Sequence, residues 1–73
     1  MRRVDGGFWF DDPERFHSYM SQNGWKREGG GQSGLFDKIF VPGRYFWEHY
    51  TILPGFLAIA DFYPSGVHFR MIG

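Results

Sequence analysis

Few side chains in this sequence could carry out covalent chemistry, and they are widely spaced. Three histidines could exchange protons near neutral pH: His17, His49 and His68. Three carboxylates lie in segments that we predict to be strands: Asp37, Glu48 and Asp61. The chain has no cysteine, which removes the most reactive nucleophile. No spacing of these residues is typical of metal ligands. Even the adjacent Glu48 and His49 would point to opposite faces of a predicted strand, so they could not bind the same metal ion. We therefore expect no enzyme activity, no metal and no cofactor.

A small ribonuclease toxin, using one histidine on a compact fold, is the enzymatic alternative. Such a protein would be expected to carry a basic surface for RNA. Here eight basic and eight acidic residues cancel. This balance counts against ribonuclease activity, and it indicates that direct contact with nucleic acid is at most secondary.

The glycine-rich segment Gly29–Gly34 formally spells G-x-G-x-x-G, a pattern found in nucleotide-binding proteins. In those proteins the glycines follow a strand and open a helix. Here the segment that follows, Leu35–Val41, has the composition of a strand. We therefore predict a flexible hairpin loop at Gly29–Gly34 instead of a phosphate-binding site.

A helix is predicted from Pro13 to Gln22. Asp12 is well placed as the N-cap, and proline is favoured at the first helical position. Phe16, with Tyr19 and Met20, forms one narrow apolar stripe at spacings of three and four. A helix of about ten residues is too short to be stable alone, so we expect it to pack on a sheet.

The remainder of the chain alternates aromatic and β-branched residues between turn signals, which is typical of antiparallel strands. The predicted strands are Leu35–Val41, Arg44–Leu53, Phe56–Tyr63 and Val67–Ile72. The sequence therefore predicts an α+β fold, with one short N-terminal helix packed on an antiparallel sheet of three to four strands. We expect residues 1–73 to form a single domain, with residues 1–7 as a flexible arm.

The predicted sheet carries more apolar surface than one short helix can cover. The small residues Ala58 and Ala60 indicate which face the helix approaches. The opposite face, or an edge of the sheet, would then expose aromatic side chains, and exposed apolar patches often mark binding sites. Tryptophan and arginine are common interface anchors. The side chains that we expect to contact a partner are Arg2, Arg3, Phe8, Trp9, Lys26, Arg27 and Trp47.

The location expected from the sequence is the cytoplasm of a bacterial host. No apolar run approaches the roughly 20 residues that a membrane-spanning helix needs. The absence of cysteine is consistent with a reducing compartment. We expect a monomer.

In length, in its short charged N-terminus and in its aromatic-rich sheet, the chain resembles the small regulators with which lytic phages, including those of Xanthomonas, redirect host transcription. The resemblance implies binding to bacterial RNA polymerase, through the N-terminal part of β′ and also through β. It further implies inhibition of σ-dependent initiation, suppression of intrinsic termination, or both. A phage inhibitor of another bacterial complex, of the anti-CRISPR type, would have a similar sequence and is the alternative.

Overall fold

The structure is a computed structural model, and it describes residues 2–4 and 7–72. These residues are organised around one antiparallel sheet. Its strands are β1 (Arg2–Val4), β2 (Gly7–Phe10), β3 (Lys26–Gln32), β4 (Phe46–Ile52), β5 (Phe56–Tyr63) and β6 (Gly66–Met71). The helices are α1 (Pro13–Gln22) and α2 (Leu35–Phe40). The strand order is β1-β2-β6-β5-β4-β3, so β1 and β3 form the two edges. The predicted α+β class is confirmed, but the expected three to four strands were too few, because six are present in the described residues.

Helix α1 has the predicted bounds and lies on one face of the sheet. The Asp12 side chain accepts a hydrogen bond from the amide of Glu14 at 3.0 Å, as an N-cap should. Phe16 is fully buried, and its ring meets the rings of Phe62 and Phe69 at centroid distances of 5.7 and 5.9 Å. The core is therefore a cluster of aromatic rings gathered around one helix side chain.

The two faces of the sheet are those predicted from the alternation of side chains. Ala58 and Ala60 are completely buried beneath α1, which confirms the predicted helix side. We call the opposite surface the open face. A row of side chains crosses it from Trp47 through Asp61 and His68 to Trp9, since these residues are cross-strand partners.

The prediction of a strand at Leu35–Val41 was wrong, because Leu35–Phe40 forms helix α2. The apolar residues of this segment recur at a spacing of four, as Leu35 with Ile39 and Phe36 with Phe40. That spacing places them on one side of a helix, whereas a strand would need alternation. The spacing of four was therefore a signal in the sequence for a helix, but the high aromatic content of the segment favoured the prediction of a strand.

The predicted loop at Gly29–Gly34 was also largely wrong, since Gly29–Gln32 pair with β4 as part of β3. The glycines make this close pairing possible. A Cβ atom at Gly30 would lie 2.6 Å from the backbone oxygen of Trp47 and 2.7 Å from a guanidinium nitrogen of Arg27. Such distances are too short for any side chain, so Gly30 is required by packing.

Much of the region that we expected to be a flexible arm belongs to the sheet. Arg2–Val4 form β1 and pair with Gly7–Trp9 of β2. Strand β2 in turn pairs with β6, from Phe8↔Phe69 to Phe10↔Val67. Met1, Asp5 and Gly6 of the predicted arm lie outside the described residues.

Replacing Asp12 with alanine should lower the free energy of unfolding by about 0.5–2 kcal/mol, because the amide of Glu14 loses its acceptor. Urea denaturation followed by circular dichroism would measure the change. Asp11→Ala is the matched control, since Asp11 bonds the Trp9 indole and not the helix amides. Equal losses for the two variants would contradict the assignment of Asp12 as the cap.

Candidate functional site

Among the described residues, helix α2 carries more exposed apolar side chains than any other helix or strand. Its four apolar side chains are Leu35, Phe36, Ile39 and Phe40, which are between 65% and 80% exposed. We call these four residues the α2 ridge. Helix α2 makes no extensive contact with α1 or with any strand in the described part of the chain. The α2 ridge therefore does not pack in the core, whereas Phe16 and Met20 of the α1 stripe are buried there.

The connection that carries α2 is closed at its base by hydrogen bonds. The amide of Ser33 donates to the carbonyl of Tyr45 at 3.1 Å, where the chain leaves and re-enters the sheet. The Arg44 guanidinium donates to Ser33 Oγ at 3.2 Å and to Asp61 Oδ1 at 3.0 Å. Both members of the Arg44–Asp61 ion pair are largely buried. These contacts fix the two ends of the α2 segment to the sheet.

Phe8 and Trp9, two of the residues expected to contact a partner, also pack within the protein. The Phe8 ring stacks on Phe69 with centroids 6.3 Å apart, on the helix side of the sheet. The Trp9 ring lies 6.1 Å from that of Tyr63, and its Nε1 donates to Asp11 at 2.8 Å. Replacing Trp9 with alanine would therefore remove packing within the protein as well as any contact with a partner.

The other expected contact residues are distributed over both faces. Trp47 is half-buried on the open face, where its indole lies against Gly31. Lys26 is exposed at the edge strand, but Arg27 on the same strand turns to the helix side and bonds Glu48. Arg2 and Arg3 lie in β1, and their side chains are outside the described part. The structure thus does not gather the seven residues into one site, and their role in binding stays a prediction.

A polar cluster on the helix side was not predicted. Glu48 is 6% exposed and accepts three hydrogen bonds. Its Oε1 accepts from the Tyr50 hydroxyl at 2.6 Å and is 3.1 Å from His17 Nε2, and its Oε2 accepts from Arg27 Nε at 2.7 Å. We call these four residues the Glu48 cluster. Its members come from α1, β3 and β4, so no local spacing in the sequence could have revealed it.

The cluster keeps Glu48 ionised. Burial opposes its charge and would by itself raise its pKa, but the hydrogen bonds from Tyr50, Arg27 and His17 outweigh burial and lower the pKa below 4.5. Burial and the neighbouring carboxylate of Glu48 together raise the pKa of Tyr50. The hydroxyl of Tyr50 therefore remains a hydrogen-bond donor at physiological pH.

A carboxylate, a histidine and an arginine are the groups that phosphodiester cleavage could use, but their arrangement favours a structural role. Both carboxylate oxygens of Glu48 are already hydrogen-bonded within the protein, Oε1 to Tyr50 and His17 and Oε2 to Arg27. A lowered pKa also makes Glu48 a weaker base. We interpret the cluster as the means by which a carboxylate is accommodated beside the aromatic core.

Changing all three histidines to glutamine should leave the biological activity of the protein intact, because we assign bond-making to none of them. A binding assay and an RNA-cleavage assay on the unaltered chain and on the His17→Gln, His49→Gln, His68→Gln variant would check this. Circular dichroism would verify that the fold is kept. Loss of an RNA-cleaving activity in a folded variant would contradict this interpretation.

Tyr63 on the open face is the other described residue with a clearly shifted pKa. Burial is the main cause and raises the pKa, and the charge of Asp61 raises it further, while Arg44 and Arg70 oppose the shift.

No group of three or more histidine, cysteine or acidic side chains within the described ranges could hold a metal ion. Among the same residues, no helix is long and apolar enough to cross a membrane.

Comparisons with protein-family models, with curated proteins and with solved structures find no match to this chain.

Proposed function

We propose that this protein acts by binding a large bacterial protein complex and occupying part of its surface, with RNA polymerase as the partner. The observation that carries the proposal is the α2 ridge. Four large apolar side chains on a six-residue helix are exposed to water, and a contiguous apolar patch of this kind usually serves recognition.

The arrangement of the ridge favours binding by a few anchors. Aromatic side chains that enter a pocket of the partner contribute most of the affinity of many interfaces. Phe36 and Phe40 are 74% and 80% exposed, so each can enter such a pocket without disturbing the core. The base of the segment is fixed to the sheet through Arg44 and Asp61, which limits the freedom that α2 must lose on binding.

The choice of polymerase rests on the resemblance to phage transcription regulators. In this proposal the protein occupies the N-terminal region of β′, and contacts β as well, within the host cytoplasm. Inhibition of σ-dependent initiation, intrinsic termination or both then follows from the occupied surface. The binding of a different bacterial complex, such as a CRISPR effector, is the alternative that shares the α2 ridge.

The test is direct binding of the purified protein to bacterial core RNA polymerase. Phe36→Ala and Phe40→Ala should each weaken binding roughly 30-fold, the equivalent of about 2 kcal/mol for an interface anchor. Ile72→Ala is the control, because Ile72 is apolar and 52% exposed but follows the last residue of β6 and is not part of the α2 ridge. The same variants should lose their effect on transcription from a σ-dependent promoter.

Two results would contradict the proposal in different ways. If the unaltered protein binds no polymerase subunit, the proposed partner is wrong. If it binds polymerase and the phenylalanine variants bind equally well, the ridge is not the anchor. The binding residues expected from the sequence, beginning with Trp9, Lys26 and Trp47, would then be tested in the same assay.

A further inference from the structure

The only asparagine of the chain, Asn23, stands directly before Gly24 at the end of helix α1. Asparagine is a chemically labile residue, and it is most labile before glycine, which has no side chain to hinder attack by its backbone nitrogen. We propose that Asn23 is a site of spontaneous deamidation that is protected while α1 is packed on the sheet, and that the product prevents α1 from packing as before.

The reaction needs only Asn23, Gly24 and water. The backbone nitrogen of Gly24 attacks the side-chain carbonyl carbon of Asn23 and closes a succinimide ring. The bond from that carbon to Nδ2 breaks, and Nδ2 leaves as ammonia with the proton of the Gly24 amide. Water then opens the ring at either carbonyl, which leaves an aspartate or an isoaspartate in place of Asn23.

In the folded protein both reacting groups are held by the end of the helix. Asn23 Nδ2 donates to the carbonyl of Tyr19 at 2.8 Å, and the Gly24 amide donates to the carbonyl of Ser21 at 3.4 Å. The ψ angle of Asn23 is 8°, so the Gly24 nitrogen nearly eclipses the backbone nitrogen of Asn23. Ring closure requires the Gly24 nitrogen to swing round towards Cβ instead. The reaction therefore cannot proceed without rotation of this peptide.

Fraying of the helix end alone does not permit that rotation, because the chain is fixed on both sides of the pair. Before it, Met20 is 2% exposed in the core. After it, the Trp25 amide donates to the Met20 carbonyl at 3.0 Å, and the Trp25 ring packs against Phe69 with centroids 5.5 Å apart. Asn23 therefore reacts when α1 separates from the sheet at this end, and not while it is packed.

The product destabilises the end of α1. A carboxylate cannot donate, so the Tyr19 carbonyl loses the hydrogen bond from Nδ2 and faces a negative charge instead. That charge lies at the negative end of the helix dipole, and the last turn of α1, all of it described, has no basic residue to offset it. Because ammonia is lost, the change is irreversible, and each modified molecule opens more easily than before.

Mass spectrometry of the intact chain and of its peptides would follow the reaction at neutral pH, and labelling by isoaspartyl methyltransferase would identify the isoaspartate. The folded chain should deamidate at Asn23 at least roughly 10-fold more slowly than the same chain unfolded in guanidinium chloride. Asp12→Ala, which weakens α1, should speed the reaction of the folded protein by about 2- to 30-fold. Asp11→Ala is the matched control and should leave the rate unchanged, since Asp11 bonds the Trp9 indole.

The effect of the product is measured on Asn23→Asp, which should unfold at a lower urea concentration than the unaltered chain. Gln22→Glu adds the same charge to the same helix end but keeps the bond from Asn23 Nδ2 to Tyr19, so its shift should be smaller. Equal deamidation rates in the folded and unfolded chains would overturn the proposal, as would an Asn23→Asp variant as stable as the unaltered chain. Neither result depends on whether polymerase is bound.

Discussion

Replacing Phe16 with alanine should leave the protein largely unfolded at 25 °C. Phe16 is completely buried, and its ring contacts those of Phe10, Tyr50, Phe62 and Phe69 at centroid distances of 5.4 to 5.9 Å. Truncating a buried phenylalanine costs about 3–5 kcal/mol. A domain of this size without disulfides has a total stability of about 3–5 kcal/mol, so the substitution removes most of it.

The measurement is the dispersion of amide signals in a proton–nitrogen NMR spectrum, with near-ultraviolet circular dichroism as a second probe. Phe36→Ala makes the same chemical change on the exposed α2 ridge. It should leave the spectrum dispersed and the free energy of unfolding nearly unchanged. A folded Phe16→Ala protein would show that the core tolerates the cavity by rearranging, contrary to this packing.

Replacing Glu48 with alanine should lower the free energy of unfolding by about 3 kcal/mol. Removing one partner of a fully buried ion pair costs about 3–5 kcal/mol. We expect the lower end of that range because the Arg27 side chain is half-exposed and can regain water. The buried Tyr50 hydroxyl, by contrast, loses its acceptor without replacement.

The control for Glu48 is Glu28→Ala, since Glu28 forms an exposed 3.9 Å ion pair with Lys26. Surface pairs contribute only about 0–1 kcal/mol, so that variant should be close to the unaltered chain. Equal effects of the two substitutions in urea titrations would contradict the importance of the Glu48 cluster.

The same carboxylate should make stability depend on pH. A group whose pKa is lower in the folded state stabilises the fold above its unfolded pKa, and this contribution is lost as the pH falls through the folded pKa. For Glu48 the loss should therefore occur below pH 4.5. Glu48→Gln should show a smaller decline in stability than the unaltered chain over that range.

Local signals in the sequence were sufficient for α1 and for the two faces of β4 and β5. The cap at Asp12 depends on neighbouring residues, and the burial of Ala58 and Ala60 follows from alternation along a single strand. These features needed no knowledge of distant parts of the chain.

The features that prediction missed depend on distant contacts or on competing patterns. Gly29–Gln32 become a strand only because β4 lies beside them, while their composition alone favours a loop. Helix α2 has a helical spacing over only six residues, too few to outweigh its aromatic, strand-like composition. In the Glu48 cluster, Arg27 and His17 are 21 and 31 residues away from the carboxylate.

The closure of the α2 segment at its base has a consequence for how the sequence can vary. Ser33 and Tyr45 are hydrogen-bonded where the chain leaves and re-enters the sheet, and Arg44 bonds both Ser33 and Asp61 there. The ten residues between Ser33 and Arg44 can therefore be regarded as an insertion in the sheet, which we call the inserted module. Loop length changes closure entropy only slowly, so this module can be exchanged or lengthened at small cost to the scaffold. A library of sequences inserted between these two positions would yield proteins that share the same sheet and bind different partners. Natural mutations in the same segment would likewise change binding without destabilising the core.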